Sequence, residues 1–113
     1  MENEMTQSEG VRPVTVHVLK LKEQYVRPII ECMMRYQVRY NDRGYQAGDL
    51  VRFVVVDRNG EPLTAANEAE YCTVDEIDLI SQRYYRVDYV STMEGLKSGY
   101  VVFSISICKR PLA

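Results

Sequence analysis

The sequence predicts an α+β fold that is mainly β: a small mixed barrel of about five strands, partly closed, with one or two flanking helices. Three observations carry this. Five runs alternate in polarity or are rich in β-branched residues, only one segment clearly repeats at the helical period, and turn-forming residues separate neighbouring runs. A barrel buries one face of each strand and removes exposed edges. The 113 residues suit a single domain with a modest core, and an apolar content of 46% favours a packed globule over disorder. Residues 1–12 read as a flexible N-terminal arm and residues 13–110 as one domain.

The elements follow in order. Residues 14–21 read as a strand in which Val14, Val16 and Val18 alternate with Thr15, His17 and Leu19. Residues 23–34 read as a helix, because Val26, Ile29, Ile30 and Met33 recur at the spacing of one buried face. Pro28 is acceptable there only in the first turn, where its missing N–H has no intrahelical partner. Residues 35–40 form the second strand. Residues 50–56 form the third, nearly continuous in apolar residues, with Arg52 its one charge. Asp57-Arg58-Asn59-Gly60 is a turn with a hairpin signal. Residues 61–82 are acidic, with a mildly helical stretch at 65–69 and an ambiguous one at 75–80. Residues 84–91 alternate again, with Tyr85, Val87 and Tyr89 expected inward. Residues 95–99 make a loop, and residues 100–108 a last strand with Val101, Phe103, Ile105 and Ile107 on one face.

Composition excludes several classes. No run approaches the roughly 18 apolar residues of a membrane span, and residues 1–10 lack the basic start and apolar centre of a signal peptide. A cytoplasmic location without membrane association is therefore expected. Cys32, Cys72 and Cys108 are widely spaced and set in apolar surroundings, and His17 is the only histidine. We expect buried free thiols, no metal and no cofactor. The net charge of −2 is unevenly spread: residues 11–40 carry six bases and two acids, residues 61–94 two bases and eight acids. Such a chain lacks the broad basic face of a sequence-independent duplex binder, but a small basic pocket remains allowed. Ten of its fourteen bases are arginine, which suits planar, bidentate recognition.

The chemistry concentrates at residues 35–49. In a strand over 35–40, Arg35, Gln37 and Arg39 share one face, and Tyr36, Val38 and Tyr40 the other, which suits the core. The first face sets two guanidiniums and an amide beside a turn containing Asn41, Asp42, Arg43, Gly44, Tyr45, Gly48 and Asp49. An anionic, planar ligand such as a nucleotide or RNA fits that combination. Arg39 can fork onto a phosphate or stack on a base. Against this stands a structural ion pair with Asp42 or Asp49. Arg35 and Arg43 are candidates that solvation alone would also explain. Asn41 and Asp42 bond nearby backbone in such turns. Tyr40 and Tyr45, flanking the turn, are the tyrosines best placed to stack on a base, whereas Tyr36, Tyr85 and Tyr89 fall on expected core faces. His17 reads as a structural residue with no evident carboxylate partner.

The ordered pieces VHVLKL (16–21), YQVRYNDRGYQAGD (36–49), YYRVDYV (84–90) and GLKSGYVV (95–102) resemble a small bacterial and phage family of unknown function within the ASCH group of PUA-like domains. The resemblance covers roughly residues 14–107. It implies a PUA-like β-barrel with a helix beside a cleft, and a role in binding RNA or modified nucleotides. Some ASCH relatives are amidohydrolases that deacetylate acetylcytidine. The group's motif reads Gly-x-Lys-x-x-Glu-x-Arg, with Thr for Glu in those hydrolases. Here Cys32 stands for the glycine, Met34 for the lysine and Gln37 for the Glu or Thr, and only Arg39 is kept. A thioether cannot take or give a proton, and an amide has no acid–base role near neutral pH. The expectation is a ligand-binding domain without hydrolase activity. Two alternatives stay open: a protein-interaction module acting through the acidic segment 61–94, and a hydrolase of altered chemistry using Asp42 and Arg39.

Overall fold

The computed structural model describes residues 14–63 and 69–108. The expected arm, residues 1–12, and nearly all of the helical stretch at 65–69 lie outside them. The elements are β1 (Val16–Lys22), a 3-10 turn (Glu23–Tyr25) running into α1 (Val26–Ile30), β2 (Tyr36–Tyr40), β3 (Leu50–Val56), α2 (Val74–Gln82), β4 (Tyr84–Ser91) and β5 (Tyr100–Cys108). The five strands form one mixed sheet in the order β1-β3-β4-β5-β2, curled into a half-barrel. Only β1 and β3 pair in parallel, with Leu19 opposite Phe53 and Leu21 opposite Val55. These four side chains, with Val87, Val101 and Phe103, fill the concave side beneath Val26, Ile29 and Ile80 of the two helices.

The first helix is shorter than its periodicity suggests. Pro28 sits near its start, and Cys32 closes it in a left-handed conformation, φ 59°, with its N–H on Ile29 O at 3.1 Å. Val26 and Ile29 are buried as expected, but Met33 falls beyond that stop and is exposed. The ambiguous residues at 75–80 belong to α2, which begins with a capping box. Thr73 Oγ1 accepts the Glu76 N–H at 3.1 Å, and Glu76 Oε1 accepts the Thr73 N–H at 2.8 Å. Arg27 then donates to both Glu76 carboxylate oxygens, at 2.9 and 3.0 Å, and ties α1 to α2. That hydrogen-bonded pairing, helped by the Thr73 backbone, holds the Glu76 carboxyl down at about 2.

Two alternation patterns are corrected. In β4 the register shifts between Val87 and Tyr89: Val87 pairs with Ile105, but Tyr89 pairs with Ser104. The extra residue of this bulge swaps the faces beyond it, so Val90 turns toward the core and Tyr89 stands outside, 68% exposed. In β2 the expected faces are inverted. Gln37 is buried and Arg39 half-buried, whereas Tyr36, Val38 and Tyr40 are exposed. The cause is the position of β2 in the sheet. β1 and β2 are its two edges, and the curl brings them face to face. The β1 edge offers carbonyls with no strand beside them, and these need donors. Arg39 Nη2 donates to Lys20 O at 2.9 Å, and Arg43 Nη1 to Val18 O at 3.0 Å. The polar face of β2 therefore turns inward, beside Phe103 and Val101 of the core on one side and the β1 edge on the other, because that edge needs donors.

Candidate functional site

The seam between β1 and β2 is a groove. A cavity of about 400 Å3 runs along it, walled by Lys20, Lys22, Tyr25, Tyr36, Gln37 and Arg39 together with Met34. A second, of about 470 Å3, continues past Lys20 and Arg39 to Tyr40, Asp42, Arg43 and Tyr45. A third, of about 220 Å3, follows on from Tyr40 to Asn41, Thr92, Gly99 and Tyr100. Lys20 and Arg39 wall both of the first two and Tyr40 both of the last two, and the first two are each of the size small-ligand sites usually have.

Arg39 is fixed at the centre. Its Nε and Nη2 donate to Gln37 Oε1 at 3.2 and 2.8 Å, and Nη2 also reaches Lys20 O. Gln37 is in turn anchored, donating to Tyr36 O at 3.1 Å. Burial lowers the Arg39 pKa from the usual arginine value, and the nearby Arg43 guanidinium adds to this. Among the described residues, neither Arg39 nor Arg43 has a carboxylate at ion-pair distance. Both are held by neutral oxygens, so their charge is positioned but not cancelled. With Lys20 and Lys22 they make the groove basic, opposed among the described lining residues by the exposed Asp42.

Residues 41–49 form the far bank of the groove. Asn41 Oδ1 accepts the Tyr45 N–H at 3.1 Å, as an Asn at a turn is expected to do. Gly48, at φ 94°, lets its own N–H reach Val87 O at 2.8 Å and docks the loop on β4. Tyr45 is not a flanking platform. Its ring is buried between His17 and Phe103, with centroid distances of 4.7 and 4.8 Å. Burial raises its pKa, and the Arg43 and Arg39 charges offset part of that. Beneath it, His17 Nε2 meets Asp49 Oδ2 at 2.9 Å, both side chains buried, and the same oxygen accepts the Gln46 N–H at 3.0 Å. His17 is thus a structural residue with a carboxylate partner that spacing in sequence did not reveal.

The structure brings Arg39, Gln37, Tyr40, Asn41, Asp42, Arg43 and Tyr45 together along one groove. It separates Arg35, whose Nε donates to Cys32 O at 2.9 Å and which lines a different, mostly apolar cavity of about 250 Å3 with Ile29, Ile105 and Ile107. The family model described as a domain of unknown function, DUF3850, matches residues 16–105, which span β1 to β5. The chain belongs to DUF3850. No curated protein matches it significantly. In this DUF3850 chain, sequence reasoning missed Lys20, Lys22 and Tyr25 as groove residues. The alternation Leu19-Lys20-Leu21-Lys22 was the available signal, since lysines on a strand mark an edge. The expectation of buried thiols holds for Cys72, only in part for the half-buried Cys108 at the end of β5, and not for Cys32, which the left-handed turn after α1 leaves exposed. No helix among the described residues is long and apolar enough to cross a membrane.

Proposed function

We propose that this protein binds RNA or nucleotides through the groove between β1 and β2. The observation that carries this is the state of Arg39 and Arg43: oriented by carbonyl and amide oxygens, with no carboxylate among the described residues at ion-pair distance. A guanidinium held in this way is ready for an anion without first breaking an ion pair. The resemblance to ASCH domains supports the same reading. Where hydrolase relatives have a lysine, this chain places Met34 in the groove wall, and Gln37 is engaged with Arg39. We therefore assign binding without deacetylation of acetylcytidine. The hydrolase alternative draws less support, because the groove's Gln37 and Met34 offer no acid–base group and Glu76, whose carboxyl is held well below its ordinary value, is ion-paired on α2 outside the groove.

Fluorescence anisotropy with a labelled RNA oligonucleotide at two or more salt concentrations tests the proposal. With about four cations engaged, the slope of log K against log salt is expected near −3. Arg39→Ala should weaken binding by about tenfold or more and flatten that slope, while a melting curve confirms that the variant folds. Salt-independent binding, or an Arg39→Ala variant of unchanged affinity, overturns it. Acetylcytidine turnover well above that of Arg39→Ala overturns the binding-only assignment.

A further inference from the structure

The outer face of β2 and β5 is aromatic, uncharged and open. Register places Tyr36 opposite Ser104, Val38 opposite Val102 and Tyr40 opposite Tyr100, and beyond Ser104 comes Tyr89 of β4. Tyr36 is 49% exposed and Tyr40 56%. These rings are not loose. Tyr40 packs edge-on to Tyr100, with centroids 5.4 Å apart, and lies on Gly99. A Cβ at Gly99 would come within 2.6 Å of Tyr40 Cε1, and the φ of 87° there already favours glycine. One side of the Tyr40 ring is thus seated while much of the residue faces solvent.

This face is continuous with the basic groove. Tyr36 shares a wall with Lys20, Lys22 and Arg39, and Tyr40 shares one with Arg43. Positive charge and stacking surface therefore run side by side along β2. We infer that the ligand is a single-stranded polynucleotide, its phosphates following Lys20, Arg39 and Arg43 while its bases stack on Tyr36 and Tyr40. This inference rests on the nucleic-acid reading above and narrows it. A duplex keeps its base faces stacked inside and presents phosphate outward, leaving an uncharged tyrosine shelf unused. A single strand offers both a backbone charge and free base faces. At a rise of about 3.3 Å per residue, Tyr36 and Tyr40 stand about 13 Å apart along the strand. Two or three bases stacked on a sheet is the scale on which other sheet-based binders work.

The test is anisotropy of the full chain with a labelled single strand of about twelve nucleotides, as RNA and as DNA, and with the corresponding RNA duplex. Either single strand should bind at least about tenfold more tightly than the duplex. Tyr36→Ala and Tyr40→Ala should each weaken single-strand binding about tenfold, and Tyr36→Phe and Tyr40→Phe, which keep the ring, should stay within about twofold. Equal affinity for duplex, or alanine variants within about twofold of the unaltered chain, overturns the inference. If Arg39→Ala still weakens binding in that case, the groove reading survives and only the stacking shelf falls. If no oligonucleotide binds, both fall together.

Discussion

The seam side and the helical side of this half-barrel use arginine in opposite ways. On the helical side, Arg27 grips both oxygens of Glu76 and Arg58 reaches Glu70 at 3.1 Å. Both of these guanidiniums cancel a carboxylate, although Arg52 on the same side donates only to the Ser81 carbonyl of α2, at 3.4 Å. On the seam side, Arg39 and Arg43 clasp the carbonyls of Lys20 and Val18. They join two sheet edges as the other arginines join helix or loop, but their charge remains. Cross-linking by arginine is therefore silent in one region and leaves an electropositive track in the other. The comparison also bears on the acidic segment 61–94. Glu76 and Glu70 are already partnered, and reversing Glu76 would dismantle the α2 cap before it tested any protein partner.

The largest effect should come from below the seam. Asp49→Ala leaves buried His17 and the Gln46 N–H without their acceptor and should cost about 3 kcal/mol. Urea denaturation measures it; a loss under about 1 kcal/mol would mean that the groove's far bank does not depend on this pair. Next, Arg39→Ala should reduce RNA affinity about tenfold or more, while Arg27→Ala changes it by less than about twofold and acts on stability alone. Equal effects on binding would erase the distinction between the two regions.

The third effect is pH-dependent. The folded-state pKa of Glu76, about 2, lies below its ordinary value of 4.5. Its contribution is present above pH 4.5 and is lost as pH falls toward 2. Acid unfolding followed by circular dichroism should show that loss, and Glu76→Gln should blunt it; an unchanged acid transition in the variant would remove the ion pair from the account. The smallest effect is expected at Cys32. A left-handed φ of 59° suits glycine better than a residue with a Cβ. Cys32→Gly should raise stability by about 0.5 kcal/mol, read as a shift in melting temperature, and should leave RNA binding alone.

Strand number and position were legible because alternation and β-branched runs report burial directly. Their faces were less so. Tyr89 was misplaced because a bulge reverses alternation without leaving a marker in the residues themselves. The faces of β2 were inverted because the reading assumed apolar side chains inward, which fails on a strand whose inner side meets an unpaired edge. Arg39 was singled out from the chain alone as a candidate and does line the groove, whereas its partner Lys20 O is backbone, and no residue identity advertises a carbonyl. The capping box of Thr73 and Glu76 was readable as a Thr-x-x-Glu pattern. Its clamp by Arg27, forty-nine positions away, required the fold.

The sheet order has one more consequence. β1 and β2 are near neighbours in sequence yet occupy opposite edges, so the groove has banks supplied by the two ends of the same sheet. It exists only once β3, β4 and β5 have all assembled between them. Any ligand held across it is linked to the global unfolding equilibrium and not to a local one. Saturation at a hundred times Kd would then add about 2.7 kcal/mol to the stability of the whole domain. Slowed amide exchange should accordingly reach β4, a strand the ligand need never touch.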